Sequence, residues 1–289
     1  MTAGVRRTLV RVGFGLVGMV FVGVALWRTW NESQQQVLPK GSTLLVAGLL
    51  VAGGLVGGGM SWIALFGKRA PRGLIADFYI AQLGKYVPGG GMWQAAGQIG
   101  LSIGHGLTAT RVGANMAVHS VIQLTAALTL GGFVVLATDL PGWLRIVCGF
   151  GLAAPILLHR TWMAQVLYRV GGWLRLDTTD IVPPDQKTII RSWLWSLLPI
   201  FGFGIAYGIM IHTLVPGIGV WRGAVPFAMA WAVGFALLPF PAGLGVREAA
   251  LVLLVGGSTA AVLATSLALR LLAIAGDLIL MFISRSVRE

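Results

Sequence analysis

The sequence contains little charge, because only 10% of its 289 residues are Asp, Glu, Lys or Arg. A soluble domain carries about 25%. Acidic residues are the scarcest, with 9 against 21 basic ones. No polar block is long enough for a separate soluble domain, and no P-loop or Asp-x-Asp metal site occurs. With 56% hydrophobic residues, the composition excludes a soluble enzyme and predicts one integral membrane domain over residues 1–289.

Cysteine occurs once, at Cys148, so an internal disulfide is excluded. The net charge of +12 does not indicate nucleic acid, because the basic residues lie at the ends of apolar segments, as the positive-inside rule describes. Arg6, Arg7 and Arg11 precede an apolar run that has no small-x-small cleavage site. This pattern favours a retained first helix over a signal peptide. No cofactor or metal site is predicted.

Apolar stretches that are long enough to cross a bilayer recur through the chain. Six of them predict full transmembrane helices, at roughly 10–28, 43–66, 112–137, 143–159, 192–213 and 260–284. Two more, 74–104 and 223–257, are interrupted by the sequences KYVPGGG (85–91) and PFPAGLG (239–245). The pieces beside the first break hold about 13 residues, or roughly 20 Å of helix, which is too short for a hydrocarbon core about 30 Å thick.

The basic residues indicate how the two broken stretches lie. If each enters and leaves on one side, 14 basic residues are cytoplasmic and four are outside; if each crosses, the split is 10 to 8. The 14 are Arg6, Arg7, Arg11, Lys68, Arg69, Arg72, Arg111, Arg160, Arg169, Arg175, Lys187, Arg191, Arg285 and Arg288, and the four are Arg28, Lys40, Arg145 and Arg222. The positive-inside rule therefore favours two re-entrant segments.

The predicted fold is an all-α integral membrane protein with six full transmembrane helices and two re-entrant Gly/Pro-broken hairpins. Both termini are expected in the cytoplasm, and the membrane is expected to be the inner (cytoplasmic) one. The two halves, about 43–159 and 192–284, have opposite orientations, as in inverted-repeat transporters. The segment 160–191 is predicted to be a cytoplasmic linker with an amphipathic helix, whose apolar face holds Trp162, Val166, Val170, Trp173 and Leu174.

The broken segments resemble those of the lysylphosphatidylglycerol synthase transmembrane-region family, a flippase-like family. The matching stretches are GKYVPGGGMWQAAGQ (84–98), HGLTATR (105–111), LPFPAGLGVREAALVLL (238–254) and LALRLLAIAGD (267–277). The resemblance implies a stand-alone form, without a synthase domain, that moves anionic or modified lipids, including lipid-linked sugars, between leaflets. Family members often carry an acid near the start of the span after the first hairpin, where this chain has His119.

Ionisable groups at membrane depth cost roughly 2.5–3.5 kcal/mol each to insert, so they normally face a protein interior. Arg247 follows the second break and opens a helix, where a cation is unfavourable unless an anion binds there. A buried pair with a carboxylate and snorkelling are the alternatives. Glu248 is expected to complement the helix dipole, to pair with Arg270, or to act as a protonatable switch. The candidate substrate-binding residues are Lys85, Tyr86, Pro88, Gly89, Gly90, Trp93, Gln94, Pro241, Gly243, Gly245, Arg247, Glu248, Arg270 and Asp277.

The function expected from these observations is transport rather than catalysis. The leading hypothesis is a flippase for a phosphate-bearing lipid, such as a polyprenyl-phosphate-linked sugar used in envelope glycan assembly. The alternatives are a flippase of aminoacylated phospholipid, a membrane-embedded enzyme that modifies glycan lipids, and a non-transporting scaffold. The expected partners are an anionic lipid or lipid-linked sugar and the bilayer, with no nucleic acid. Gly-rich helix faces also permit a homodimer.

Overall fold

The computed structural model describes residues 39–67, 70–71, 73–86, 90–173, 181–236 and 245–286. Within these ranges all regular elements are helical. The α-helices are α1 (Gly41–Ala64), α2 (Leu74–Gln82), α3 (Gly90–Ile103), α4 (Ala109–Gly132), α5 (Val134–Ala137), α6 (Gly142–Gly149), α7 (Arg160–Trp173), α8 (Gln186–Leu214), α9 (Val220–Ala236), α10 (Val246–Val255) and α11 (Thr259–Ser286). Two 3₁₀ helices, Leu83–Tyr86 and Phe150–Leu158, complete the set.

Four of these helices are long and apolar enough to cross a membrane: α1, Ala109–Leu136 (α4 with its continuation), α8 and α11. They confirm the transmembrane helices predicted at 43–66, 112–137, 192–213 and 260–284. Large apolar side chains are exposed on the outside of the helices, among them Leu45, Leu49, Leu136, Leu253 and Phe282. Such a surface suits lipid rather than water. The chain is therefore a multi-pass membrane protein whose described regular elements are all helical.

The structure does not contain six full spans within the described residues. The predicted span 10–28 lies outside them. The predicted span 143–159 is not one regular helix, because α6 ends at Gly149 and continues as the 3₁₀ helix, which contains Pro155. Proline cannot donate its backbone hydrogen bond and disrupts an α-helix. After Leu158 the chain turns by 86° into α7, and this bent pair makes a fifth span only if both pieces are counted together.

The predicted linker 160–191 is too long at its C-terminal end. Helix α8 begins at Gln186, because the Asp185 carboxylate caps it by accepting a 2.7 Å hydrogen bond from the Thr188 N–H. The amphipathic helix is present as α7. Met163 and Leu167 are buried against the bundle, whereas Trp162 is exposed. Its sharp turn relative to the preceding segment suits a helix that lies along a membrane surface.

Close contacts define the directions of the long helices. Gly54 packs on Pro199, and the Ser61 and Ser192 hydroxyls lie 2.9 Å apart, so α1 and α8 are antiparallel. Gly276 of α11 packs on Leu55, and Leu272, one turn earlier on α11, meets Gly48, two turns earlier on α1, so α11 is parallel to α1. Helices α1 and α11 therefore end where α8 begins.

Among the described residues, one end of the bundle carries more basic residues than the other. Helix α4 runs parallel to α8, since Val112 clusters with Ile189 and Ala127 clusters with Ile200. The end at which α4 and α8 begin is called the basic end, and its described basic residues are Arg111, Arg160, Arg169, Lys187, Arg191 and Arg285. The opposite end carries Lys40, Arg145 and Arg222. This division agrees with the grouping that the re-entrant interpretation requires.

The first broken segment folds back on itself. Asp77 lies beside His105, Ala81 beside Gly97, and Gly84 beside Gln94, which is the order of an antiparallel pair. Gly84 permits the closest approach, because a Cβ there would lie 2.6 Å from the Gln94 nitrogen. Since α1 ends and α4 begins at the basic end, this first hairpin (74–86 and 90–103) enters and leaves at that end.

The second broken segment also folds back, but from the opposite end. Gly204 and Gly208 of α8 pack on Ala224 and Val220, respectively, so α9 runs antiparallel to α8. Helix α10 returns along α9, with the Arg247 guanidinium over the Phe227 ring. The second hairpin (220–236 and 245–255) therefore enters and leaves at the end that holds Lys40 and Arg222.

Candidate functional site

The end of the first arm of the first hairpin reaches the last helix. Lys85 Nζ lies 2.7 Å from Asp277 Oδ2, and the Tyr86 hydroxyl donates a 2.6 Å hydrogen bond to the same oxygen. Lys85 also donates to Gln82 Oε1 at 3.2 Å. The Asp277 side chain is fully buried, whereas that of Lys85 is 26% exposed. A buried carboxylate in the middle of an apolar helix is thus held by a cation and a phenol from the hairpin.

The start of α10, in the second hairpin, reaches the same helix about two turns away. Arg270 Nη2 donates a 2.7 Å hydrogen bond to Glu248 Oε1, and the Ser266 hydroxyl donates to that oxygen at 2.9 Å. Glu248 Oε2 accepts the Gly245 N–H at 2.9 Å. Glu248 therefore satisfies an orphan N–H at the start of α10 as well as pairing with α11.

Arg247 is the least satisfied cation of this group. Its side chain is only 13% exposed, and its Nη2 lies 3.6 Å from Glu248 Oε1, beyond hydrogen-bond distance. Its guanidinium carbon lies 5.7 Å from the centre of the Phe227 ring. Among the described residues, Arg247 Nε is buried and has no hydrogen-bond partner. Such a group retains unused donor capacity, which an incoming oxyanion would satisfy.

The two clusters form one charged region along α11. Arg270 and Asp277 are seven residues apart, or about 10 Å along the axis, so they share a face without direct contact. The Tyr86 phenol lies within electrostatic reach of both Arg247 and Arg270. Three cations (Lys85, Arg247 and Arg270) face two carboxylates in this region. The region, called the central site below, has a net positive charge.

Sequence analysis placed these five charged residues and Tyr86 in the site, and the structure brings them together. Glu248 pairs with Arg270, which is one of its expected roles, and it also contacts the start of its own helix. Gly245 precedes α10 at a φ of 83°, a conformation that favours glycine. Gly90 begins α3, and Trp93 and Gln94 follow it, with the Trp93 side chain 60% exposed. Pro88, Gly89, Pro241 and Gly243 lie outside the described residues.

Sequence analysis missed two members of the central site. Ser266 lies one helical turn before Arg270, and residues four apart share a helix face, so spacing alone could have identified it. Phe227 supports the Arg247 guanidinium from α9, and no local pattern predicts this contact. Its ring also stacks on Tyr207 of α8. The arginine is thus held over an aromatic layer inside the bundle.

Two groups outside the central site stabilise the first hairpin. Asp77 lies in the first turn of α2, where a negative charge complements the helix dipole, and its buried carboxylate is 2.6 Å from His105 Nε2. This contact joins the two arms near the basic end. His119 is buried, with its ring near Trp62 and Phe78, so it packs in an aromatic cluster of the core.

An apolar crevice of about 350 Å³ lies between α4, α8 and α9. Its lining includes Leu130, Phe133, Phe201, Trp221 and Ala228, and no residue of the central site. Phe201 and Trp221 are exposed, so the crevice opens on the outer face of the bundle. Its dimensions and chemistry suit a hydrocarbon chain rather than a polar group.

No known protein-family model and no curated protein matches the chain. The geometry of the central site and the directions of the helices are therefore the basis for a functional assignment.

Proposed function

We propose that this protein is a lipid flippase that moves a phosphate-bearing lipid across the cytoplasmic membrane, with both termini and the basic end in the cytoplasm. The observation that carries the proposal is Arg247 at the start of α10, a largely buried guanidinium whose Nε has no partner within the part of the chain that the structure describes. Helix starts and arginine forks both favour phosphate oxygens. A lipid phosphate would satisfy a donor that has no partner among the described residues.

The arrangement of the hairpins supports transport. One hairpin starts from the basic end and the other from the opposite end, and both supply charged side chains to α11 near the middle of the bundle. Broken helices that meet at mid-membrane from opposite sides are the layout of inverted-repeat transporters. A head group at the central site would lie between two access routes, which we expect to open alternately.

The apolar surroundings support a lipid as the substrate. A phospholipid or polyprenyl phosphate combines a charged head with long hydrocarbon chains. The central site suits the head, and the crevice that contains Phe201 and Trp221 suits a chain. The net positive charge favours an anionic head group over an aminoacylated one, which carries an additional ammonium group. A polyprenyl-phosphate-linked sugar, as the family resemblance implies, fits this requirement.

The test is transport by the purified full chain in liposomes that contain a fluorescent, phosphate-bearing polyprenyl lipid. We expect the protein to move intact lipid between leaflets and Arg247→Gln to reduce the rate, because the variant lacks the charge and fork of the guanidinium. Arg222→Gln is the matched control, since Arg222 is exposed at the end of the bundle. A lipid of changed mass would show an enzyme instead, and equal rates for both variants would contradict a role for Arg247.

A further inference from the structure

The Glu248 carboxylate already occupies a complete oxyanion site. Oε1 accepts hydrogen bonds from Arg270 at 2.7 Å and Ser266 at 2.9 Å, and Oε2 accepts one from the Gly245 N–H at 2.9 Å. Arg247 lies 3.6 Å from Oε1. A guanidinium, a hydroxyl and a backbone N–H at a helix start are the donors that proteins use for phosphate. Here they bind an anion of the chain itself.

In the structure, this carboxylate hydrogen-bonds only one of the two arginines. It contacts Arg270 at hydrogen-bond distance and leaves Arg247 farther away, with its buried Nε unpartnered among the described residues. A phosphate offers more oxygens than a carboxylate, and so it can bridge two guanidinium groups. The Glu248 carboxylate thus lies within ion-pair distance of both arginines but makes a hydrogen bond with Arg270 alone of the two.

We propose that Glu248 is the internal competitor of the substrate: its Oε1 occupies the position of a phosphate oxygen, and the two exchange on Arg247 and Arg270. This mechanism rests on the proposed function. Glu248 Oε2 keeps the Gly245 N–H, so only one carboxylate oxygen has to leave its donors. When the phosphate is released, Oε1 returns to Arg270 and Ser266, and the carboxylate again compensates the positive charge of Arg270.

Competition between the Glu248 carboxylate and a phosphate predicts a result that the charge of Glu248 alone does not. Removing the charge with Glu248→Gln strengthens phosphate binding in either case, because a nearby negative charge is lost. Glu248→Asp keeps the charge but shortens the side chain, which then no longer reaches Arg270 and Ser266 together. If Glu248 competes through its contacts, the shorter carboxylate competes less and the phosphate binds more tightly. If Glu248 acts only through its charge, Glu248→Asp binds like the unaltered protein.

The matched control is Asp77→Asn. Asp77 is a buried carboxylate that lies 2.6 Å from the imidazole of His105, outside the central site. Its substitution changes the net charge of the bundle as much as Glu248→Gln does. It leaves the contacts of Arg247 and Arg270 intact. A general effect of charge on lipid binding would therefore appear in this variant as well.

The experiment measures equilibrium binding of fluorescent phosphatidylglycerol, and separately of inorganic phosphate, to the detergent-solubilised full chain. Phosphatidylglycerol is a phosphodiester, so its charge is constant near neutral pH. We expect Glu248→Gln and Glu248→Asp to bind the lipid at least about fivefold more tightly, the lower end of typical coupling between sites. Asp77→Asn should match the unaltered protein. Glu248→Asp is also the variant that decides the result if Glu248→Gln does not fold.

Unchanged affinity in Glu248→Asp, or equal strengthening in Asp77→Asn, would overturn the exchange mechanism. Loss of binding in Arg247→Gln alongside unchanged affinity in Glu248→Asp would leave the proposed function in place and remove only the exchange. The proposed function fails separately if inorganic phosphate binds more tightly than the lipid, or if no form of the protein binds the lipid. If inorganic phosphate binds more tightly than the lipid, stronger phosphate binding in Glu248→Asp would still support exchange of Glu248 with a free phosphate.

Discussion

Lys85 Nζ and Asp277 Oδ2 lie 2.7 Å apart, and this ion pair attaches the first hairpin to the last helix. The two residues come from opposite halves of the chain. The pair is asymmetric, since Asp277 is fully buried and Lys85 is 26% exposed. Among the described residues, Asp277 Oδ1 also has no hydrogen-bond partner. The carboxylate therefore depends on Lys85 and Tyr86, both of which contact its other oxygen.

Breaking this pair from one side should destabilise the protein. Lys85→Met leaves a buried carboxylate without its cation, which costs about 3–5 kcal/mol of unfolding free energy in buried pairs. The double variant Lys85→Met/Asp277→Asn should recover much of the loss, because no unpaired charge remains. Thermal unfolding in detergent measures both. Additive losses in the double variant would mean that the two side chains do not interact energetically.

The contact between α1 and α8 gives a stability prediction with a neighbouring control. A Cβ on Gly57 would lie 2.6 Å from Leu198 Cβ, whereas a Cβ on Gly58 would have no atom within 4 Å. Gly57→Ala should therefore cost about 1–3 kcal/mol through overpacking. Gly58→Ala should be neutral, or stabilising by up to about 1 kcal/mol, because alanine favours the helix. Equal melting temperatures for the two variants would contradict the close packing of these helices.

Topology is testable with single cysteines on a Cys148→Ala background. Thr108 and Gly217 are both exposed, and they lie at opposite ends of the bundle. We expect a membrane-impermeant thiol reagent, added to intact cells, to label Gly217→Cys and to leave Thr108→Cys unlabelled until the cells are opened. Labelling of Thr108→Cys from outside would reverse the proposed orientation. Labelling of both from outside would exclude a re-entrant first hairpin.

Arg247→Lys separates charge from geometry at the central site. Lysine keeps the positive charge but lacks the planar fork that binds two phosphate oxygens at once. We expect its affinity for a phosphate-bearing lipid to fall between those of the unaltered protein and Arg247→Gln, with melting temperatures that change little. A stability collapse in Arg247→Gln that Glu248→Gln rescues would instead identify Arg247 as part of a structural pair. Melting temperature and lipid binding are measured on the same preparations.

The sequence by itself determined the class of the protein and the identity of most charged site residues. Low charge and repeated apolar stretches require a bilayer, and a costly ionisable group within such a stretch must have a compensating environment. Helix ends were less predictable. Asp185 caps α8 before the apolar run begins, and Pro155 converts the end of a predicted span into a 3₁₀ helix. These are local effects of hydrogen bonding that hydropathy does not measure.

Only the tertiary structure decided which charges meet. Periodicity placed Arg270 and Asp277 on one face of a helix, but each pairs with a residue from a different hairpin: Glu248 for Arg270 and Lys85 for Asp277. Glu248 and Arg270 are 22 residues apart in the sequence, and the hydrogen bond from Tyr86 to Asp277 joins residues that are 191 apart. Contacts at such separations depend on how the antiparallel arms of the hairpins fold back and on how closely the helices approach each other at glycines. The pattern along the chain fixes the faces of the helices, whereas their packing selects the partners.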